Sequence, residues 1–265
     1  MSEARFDRNI RFFGSDGQER LRAAKVTVVG VGGLGTHVVQ QLAYLGIGAI
    51  AVIDDEEVEA SNLNRYVGAR HDDPIPGMRK VDLAERVVRA VDPMIAVKKI
   101  PHPLRSTPAF AAVTEADCVF GCVDNEGARL ILTEFCSAHA CPLFDLASEI
   151  VPHDPPSYGG RVAACIDGNG CLACMNLLDL AEAQRDLESR ELRCDRDAIY
   201  GVPREQLDDA GPSVISINGV VASLAVTEFL VWITGRRQPH KHLTYRGHLG
   251  IVTKSTDPPF ADCYY

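Results

Sequence analysis

The sequence is poor in features that would take a chain into a membrane or out of the cell. Its first residues, MSEARFDRNIRFF, alternate charges with aromatics and contain no apolar signal-peptide core. No apolar run free of polar breaks reaches the length of a membrane span. The most apolar stretch, SVISINGVVASLAVTEFLVWITG (213–235), is interrupted by Ser216, Asn218, Ser223 and Glu228 and reads as a buried core helix. Positive charge is also short: 27 Lys and Arg against 36 Asp and Glu leave a formal charge of -9. The basic footprint of a general nucleic-acid binder is therefore missing. The nine cysteines are an odd number in a chain with no export signal, which argues against a disulfide framework. Cys118 and Cys122, in DCVFGCV, sit in a strand-like run as small buried hydrophobes. The expectation is a cytoplasmic protein with no membrane attachment.

What is present is an ordinary globular composition, 46% hydrophobic and 24% charged over 265 residues. Strand-like runs at 25–31, 49–54, 95–100, 116–123 and 142–147 alternate with helical spacing at 34–44, 80–92 and the segment EGARLILTEFCSAHA. That alternation predicts an α/β fold with a doubly wound, mostly parallel sheet. After residue 150 the rhythm changes. YGGRVAACIDG (158–168) predicts a strand returning beside the sheet, and the charged, Gly- and Pro-broken segment 190–212 a long surface loop. No internal repeat or low-complexity segment occurs.

The stretch KVTVVGVGGLGTHVV carries Gly30, Gly32 and Gly35 in G-x-G-x-x-G spacing between a strand and a helix. Glycines there permit a tight turn and close backbone approach, and the helix N-terminus offers free N–H groups to a phosphate. Asp54 ends the second strand, where an acidic side chain can take ribose hydroxyls. The motif predicts a nucleotide site and does not separate NAD from ATP.

Residues downstream bear on that choice. Asn62 and Arg65 in DDEEVEASNLNRYV, and Lys80 at the end of GMRK, supply more phosphate-capable groups than an NAD diphosphate needs. A triphosphate attacked at its α-phosphorus needs such groups to hold the departing pyrophosphate. Asp124 follows the fourth strand, at the sheet edge where open α/β sheets bind ligands, and a carboxylate there suits Mg²⁺. The structural alternatives are that Lys80 simply begins a helix and that Asp124 caps the next one.

The stretch RFDRNIRFFGSDGQERLRAAKVTVVGVGGLGTHVVQQLAYLGIGAIAVIDDEEVEASNLNRYV closely resembles the ThiF/MoeB/HesA family, the prokaryotic relatives of ubiquitin-activating E1 enzymes, and the likeness runs from about Arg5 to Gly235. The resemblance implies a single Rossmann-like, E1-type adenylation domain over 1–265, with an antiparallel extension near the C-terminus. Within it, 1–24 would be an arm reaching the partner subunit, 25–150 the nucleotide-binding half, and 151–265 the carrier-binding half with a crossover loop at 190–212. It implies Mg-ATP-dependent adenylation of the C-terminal glycine carboxylate of a ubiquitin-like or sulfur-carrier protein, with release of pyrophosphate. Gly33 would join the backbone turn around the nucleotide, Asp54 would bind the ribose, and Asn62, Arg65 and Lys80 would surround the phosphates. Asp124 would manage Mg²⁺ and the reacting carboxylate. Arg8 would enter the neighbouring subunit's ATP site, which implies a homodimer.

The cysteines depart from that pattern. Cys171 and Cys174, in CLAC, have the spacing of half a tetrahedral zinc site and stand where the family places its first pair. For the second pair only Cys263 appears. A structural zinc is expected, with the fourth ligand either one further cysteine after Tyr265 or one of His240, His242 and His248. Thioester-forming E1-like enzymes carry a cysteine before an AG turn, where this chain has Leu207. The nearby Cys194, between Arg193 and Arg196, is a candidate thioester cysteine, although Asp195 and Asp197 oppose the lowering of its thiol pKa. Competing readings are an ATP-dependent enzyme modifying a peptide or tRNA, and an NAD-dependent oxidoreductase. The latter would leave Arg8, Arg65, Lys80 and Asp124 without a use.

Overall fold

The computed structural model describes residues 3–166, 170–188, 211–257 and residue 263. Eight strands form one sheet in the order β3-β2-β1-β4-β5-β6-β7-β8. They are β1 (Lys25–Val29), β2 (Ala49–Ile53), β3 (Ala96–Ile100), β4 (Cys118–Gly121), β5 (Leu143–Val151), β6 (Ser157–Cys165), β7 (His242–Arg246) and β8 (Ile251–Lys254). Pairing is parallel from β3 through β5 and antiparallel from β5 through β8. The expected mixed sheet is thus observed, with β6 pairing antiparallel to β5 as the returning strand. Strands β7 and β8 form the antiparallel extension that the resemblance implied; their bounds were not legible in the residues, because β7 buries only Leu243 and β8 is exposed throughout.

Helices cover both faces. They are α1 (Asp7–Ala23), α2 (Gly33–Leu45), α3 (Lys80–Val91), α4 (Thr107–Thr114), α5 (Glu126–Ala138), α6 (Leu180–Leu187) and α7 (Ile215–Ile233). Alternation within β1 divides the core. Val26 and Val28 join one cluster with Val38, Leu42, Val221 and Phe229, whereas Val29 joins the other with Ala109, Val113 and Leu132. Thr27 is buried on the second face and discharges its hydroxyl onto Ala112 O at 2.9 Å.

By length and composition α7 could cross a membrane, with mean hydropathy 1.6. In the fold it is a core helix. Phe229 packs 5.5 Å from Phe120 and 6.1 Å from Phe144, and burying one such ring stabilises by about 2–3 kcal/mol. Its buried Glu228 accepts from Arg237 Nη1 and Nη2, each at 2.7 Å, and from His240 N at 2.7 Å. That charge is paired, as burial demands.

The N-terminal segment is helical and packs on its own chain. Residues 7–23 form a helix, kinked at Gly14 (φ 79°), with Phe13 and Leu21 in the core of the same chain. Phe6, 1% exposed, rests on Gly46, where a Cβ would meet its ring at 2.6 Å. Gly46, at φ 80°, is the left-handed cap that ends α2.

Candidate functional site

The glycine loop lies at the switch point, between β1 and α2, with β2 on one side of β1 and β4 on the other. Close packing explains its glycines better than conformational freedom does. A Cβ at Gly35 would stand 2.0 Å from Gly30 O, and one at Gly30 2.7 Å from Cys122 O. A Cβ at Gly33 would stand 2.4 Å from Asn218 Nδ2, whereas at Gly32 the nearest atom would be the Tyr66 hydroxyl at 3.5 Å. Gly30 alone among the four has a left-handed backbone, with φ 82°.

Asp54 follows β2 and holds this loop. Its Oδ2 accepts from Val31 N at 2.8 Å and its Oδ1 from Glu56 N at 3.0 Å. Burial raises the Asp54 pKa above the usual carboxylate value, against the pull of Lys80 and of those two N–H groups. Lys80 is the first residue of α3 and is nearly buried. Its ammonium pairs with Glu56 and lies 5.4 Å from the Tyr66 ring centroid. Burial would lower its pKa, yet the Glu56 bond, the Asp54 charge and Tyr66 outweigh that and raise it, so the lysine stays cationic.

Arg65 lies beside Gly33, where a Cβ would come 3.7 Å from its Cδ, and its guanidinium stands 5.5 Å from the Tyr66 ring centroid. Its Nη1 donates to Ser61 O at 2.5 Å. Asn62 is buried in a short 3-10 turn, where its Oδ1 accepts from Glu59 N at 2.9 Å. Its amide braces the loop that carries Arg65.

Asp124 lies three residues past β4 and is exposed. The capping alternative fails in a specific way: Asn125 caps α5, accepting from Ala128 N at 2.8 Å. Asp124 is left with the Asn125 amide at 3.5 Å, and its oxygens suit a hard cation. Lys80 neighbours Asp54, which follows β2, and Tyr66, while the segment leading to Asp124 leaves β4 on the other side of β1, where Cys122 O lies against Gly30.

Arg8 is not brought to this cradle. It is exposed, two residues from Phe6, which packs at the C-terminal end of α2, while the glycine loop occupies the N-terminal end. Thirteen helical residues separate those ends, about 18 Å at 1.5 Å per residue. Nearby Arg5 pairs with Asp92, past the end of α3, at 3.3 Å.

Three side chains had no functional signal in the sequence. Tyr66 forms the wall between Gly32 and Lys80. Thr36 donates to Gly32 O at 3.0 Å and accepts from Val67 N at 3.1 Å, tying α2 to the Arg65 loop. Asn218 donates to Ser213 Oγ at 3.1 Å and accepts from Ser148 Oγ at 2.8 Å while its amide abuts Gly33. In the sequence it was only a polar interruption of an apolar helix, and a buried amide in that setting was the available clue.

The cysteines form a second centre. Cys171, Cys174 and Cys263 place their sulfurs within 4.8 Å of one another. The Cys171–Cys174 and Cys174–Cys263 sulfur distances are 3.7 and 3.5 Å. Three converging thiols fit a thiophilic cation such as Zn²⁺. Burial, with the neighbouring thiols adding to it, pushes the Cys171 thiol up to about 11. Among the described residues, His240, His242 and His248 do not join this cluster. His242 lies beside Thr244 and His248 beside Tyr158. Cys194, Leu207 and nearly all of the 190–212 loop lie outside the described residues.

This fold, a glycine loop at the switch point of a mixed sheet with cations and a carboxylate around it, is that of the E1-like adenylation enzymes. The chain belongs to the ThiF family, whose model matches residues 6–258. It is 33% identical over 176 residues to the molybdopterin-synthase adenylyltransferase of Escherichia coli, covering 66% of this chain and 68% of that protein. It is 36% identical over 162 residues to the SAMP-activating enzyme E1 of Haloferax volcanii, covering 61% and 57%. Across the curated relatives the match spans between 27% and 68% of their own length. Among solved structures, E. coli MccB with ATP superposes with a TM-score of 0.73 at 21% identity, covering 99% of this chain and 74% of that one.

Proposed function

We propose that the chain uses Mg-ATP to adenylate the C-terminal glycine carboxylate of a ubiquitin-like or sulfur-carrier protein. What supports this reading is the company the glycine cradle keeps: Lys80 beside Asp54 and Tyr66, Arg65 beside Gly33, and the exposed Asp124 carboxylate past β4.

The N–H groups at the start of α2 take phosphate oxygens, and Asp54 is positioned for the ribose. Lys80 exchanges Glu56 for a phosphate oxygen, and Arg65 approaches from the Gly33 side. The partner's carboxylate oxygen attacks the α-phosphorus. The bond from that phosphorus to the bridging oxygen breaks, and its electron pair leaves with pyrophosphate. No side-chain nucleophile is required, so positioning and charge neutralisation supply the rate. Asp124 would hold magnesium, which when bound offsets phosphate charge. The exposed position of Arg8, remote from its own cradle, supports its service to a second subunit in a homodimer. The three thiols would hold a structural zinc.

The test is ATP–pyrophosphate exchange in the presence of a small β-grasp protein ending in glycine. Exchange that depends on this protein and is lost when its terminal glycine is removed is the expected result. Thermal stabilisation by NAD and not by Mg-ATP would overturn the reading.

A further inference from the structure

A group of charges lies behind the Asp124 turn, and the reaction as described makes no use of it. Asp145, on β5, is 1% exposed at its side chain, with Arg129 at 6% and Arg161 at 16%. Arg129 Nη1 donates to Asp145 Oδ1 at 2.8 Å, to Oδ2 at 2.9 Å and to Leu146 O at 3.0 Å. Arg161 Nη1 meets Asp145 Oδ2 at 2.5 Å, and its Nη2 donates to Leu177 O at 3.0 Å. Gly121 is the cross-strand neighbour of Asp145 in the β4–β5 ladder, and a Cβ there would stand 3.3 Å from Asp145 Oδ1. Strand β4 leaves room for that carboxylate.

The consequence lies in the other nitrogen of Arg129. With Nη1 fixed on Asp145, Nη2 is aimed at Val123 O, which it meets at 2.6 Å. Val123 precedes Asp124. The corner between β4 and α5 is thereby held twice, by the Asn125 cap on the helix side and by Arg129 from beneath. A buried ion pair contributes little net stability and is costly to break, so its value here is geometric.

We infer that Asp145 is a positioning residue that, by orienting Arg129 onto the Val123 carbonyl, fixes the turn presenting Asp124 to magnesium and substrate. This rests on the proposed adenylation chemistry, and the experiment separates the two. Magnesium half-saturation is measured for ATP binding as well as for exchange, and hydrogen exchange is followed over residues 121–128. Asp145→Asn raises magnesium half-saturation about tenfold, the scale on which supports of metal ligands act. It also speeds amide exchange in that peptide while the glycine loop stays protected. Arg129→Lys keeps a cation beside Asp145 but loses the fork to Val123 O, and it gives the same two changes. Either folded variant with unchanged magnesium half-saturation and unchanged protection overturns the inference. Should neither variant fold, wild type decides: a 121–128 peptide exchanging at the rate of an unstructured peptide of the same sequence overturns it, and core-like protection supports it. Wild type that binds Mg-ATP but lacks carrier-dependent exchange defeats the adenylation reading and leaves the binding and exchange arms of this test standing.

Discussion

Asn218 of α7 presses its amide against Gly33 so closely that a single methyl on that glycine would lie 2.4 Å from Nδ2. Asn218 cannot easily yield, because it is 2% exposed and held by Ser148 and Ser213. A helix from the far end of the chain therefore shapes the phosphate cradle near its beginning.

Gly33→Ala should abolish stabilisation by Mg-ATP in a thermal shift while the chain remains folded. Adding Asn218→Ala should restore part of it by opening space. Asn218→Ala alone should cost about 1 kcal/mol in chemical denaturation, since it removes a buried amide that bonds two half-buried hydroxyls.

Asp124 and Asn125 are adjacent and should behave oppositely. Asp124→Ala removes an exposed side chain that caps nothing, so exchange should be lost with the unfolding midpoint unchanged. Asn125→Ala removes the α5 cap and should cost about 1 kcal/mol in stability. Near-normal exchange in Asp124→Ala would remove that residue from the chemistry.

Arg8 is best tested by mixing. Arg8→Ala and Lys80→Ala should each lower carrier-dependent exchange by about a hundredfold or more. If Arg8 serves the neighbouring subunit, unfolding and refolding the two variants together regains part of the activity, because some heterodimers carry one intact composite site. No regain would place Arg8 outside the site.

Acid stability should follow two carboxylates. The Arg86 guanidinium, bonded to Asp73 at 2.6 and 2.8 Å, holds Asp73 below its usual 3.8. Burial opposes the same shift at Glu228, but Arg237 and His240 N outweigh it and hold that group below 4.5. A depressed folded-state pKa contributes stability that is present above the unfolded value and lost as pH falls through the folded one. Urea midpoints should therefore drop below about pH 4.5, and Asp73→Asn should flatten that drop. Asp54 has the opposite sign: with its pKa raised by burial, its contribution is complete below the ordinary 3.8 and is lost as pH rises through the higher folded-state value.

Elemental analysis should find about one zinc per chain, the stoichiometry of a closed structural site. Cys174→Ser should lower both the zinc content and the unfolding temperature. A ratio near zero would leave the three thiols as metal-free packing.

The parallel half of the fold was legible because β1, β2 and β4 are apolar runs separated by helical spacing, with the glycine loop between the first strand and the first of those helices. Arg65 and Lys80 stood out in the sequence as phosphate-capable groups downstream of the glycine loop, and Asp124 as a carboxylate at the sheet's carboxyl edge. Helix α1 was hidden by Gly14 and by charges that alternate with its buried aromatics. The Asp145 cluster was hidden for a different reason. PLFDLA shows the acid Asp145 and EGARLIL shows Arg129 three residues after Glu126, and only the tertiary fold reveals that Asp145 pairs with Arg129 and with Arg161.

The sheet's carboxyl edge is stepped. Strand β4 stops at Gly121, while β5 continues from its last β4 partner, Asp145, to Val151, paired among the described residues with β6 alone. At about 3.3 Å per residue this ribbon overhangs the Asp124 corner by roughly 20 Å. If the proposed acyl adenylate forms at that corner, this ribbon would stand along one flank of it as a parapet against water.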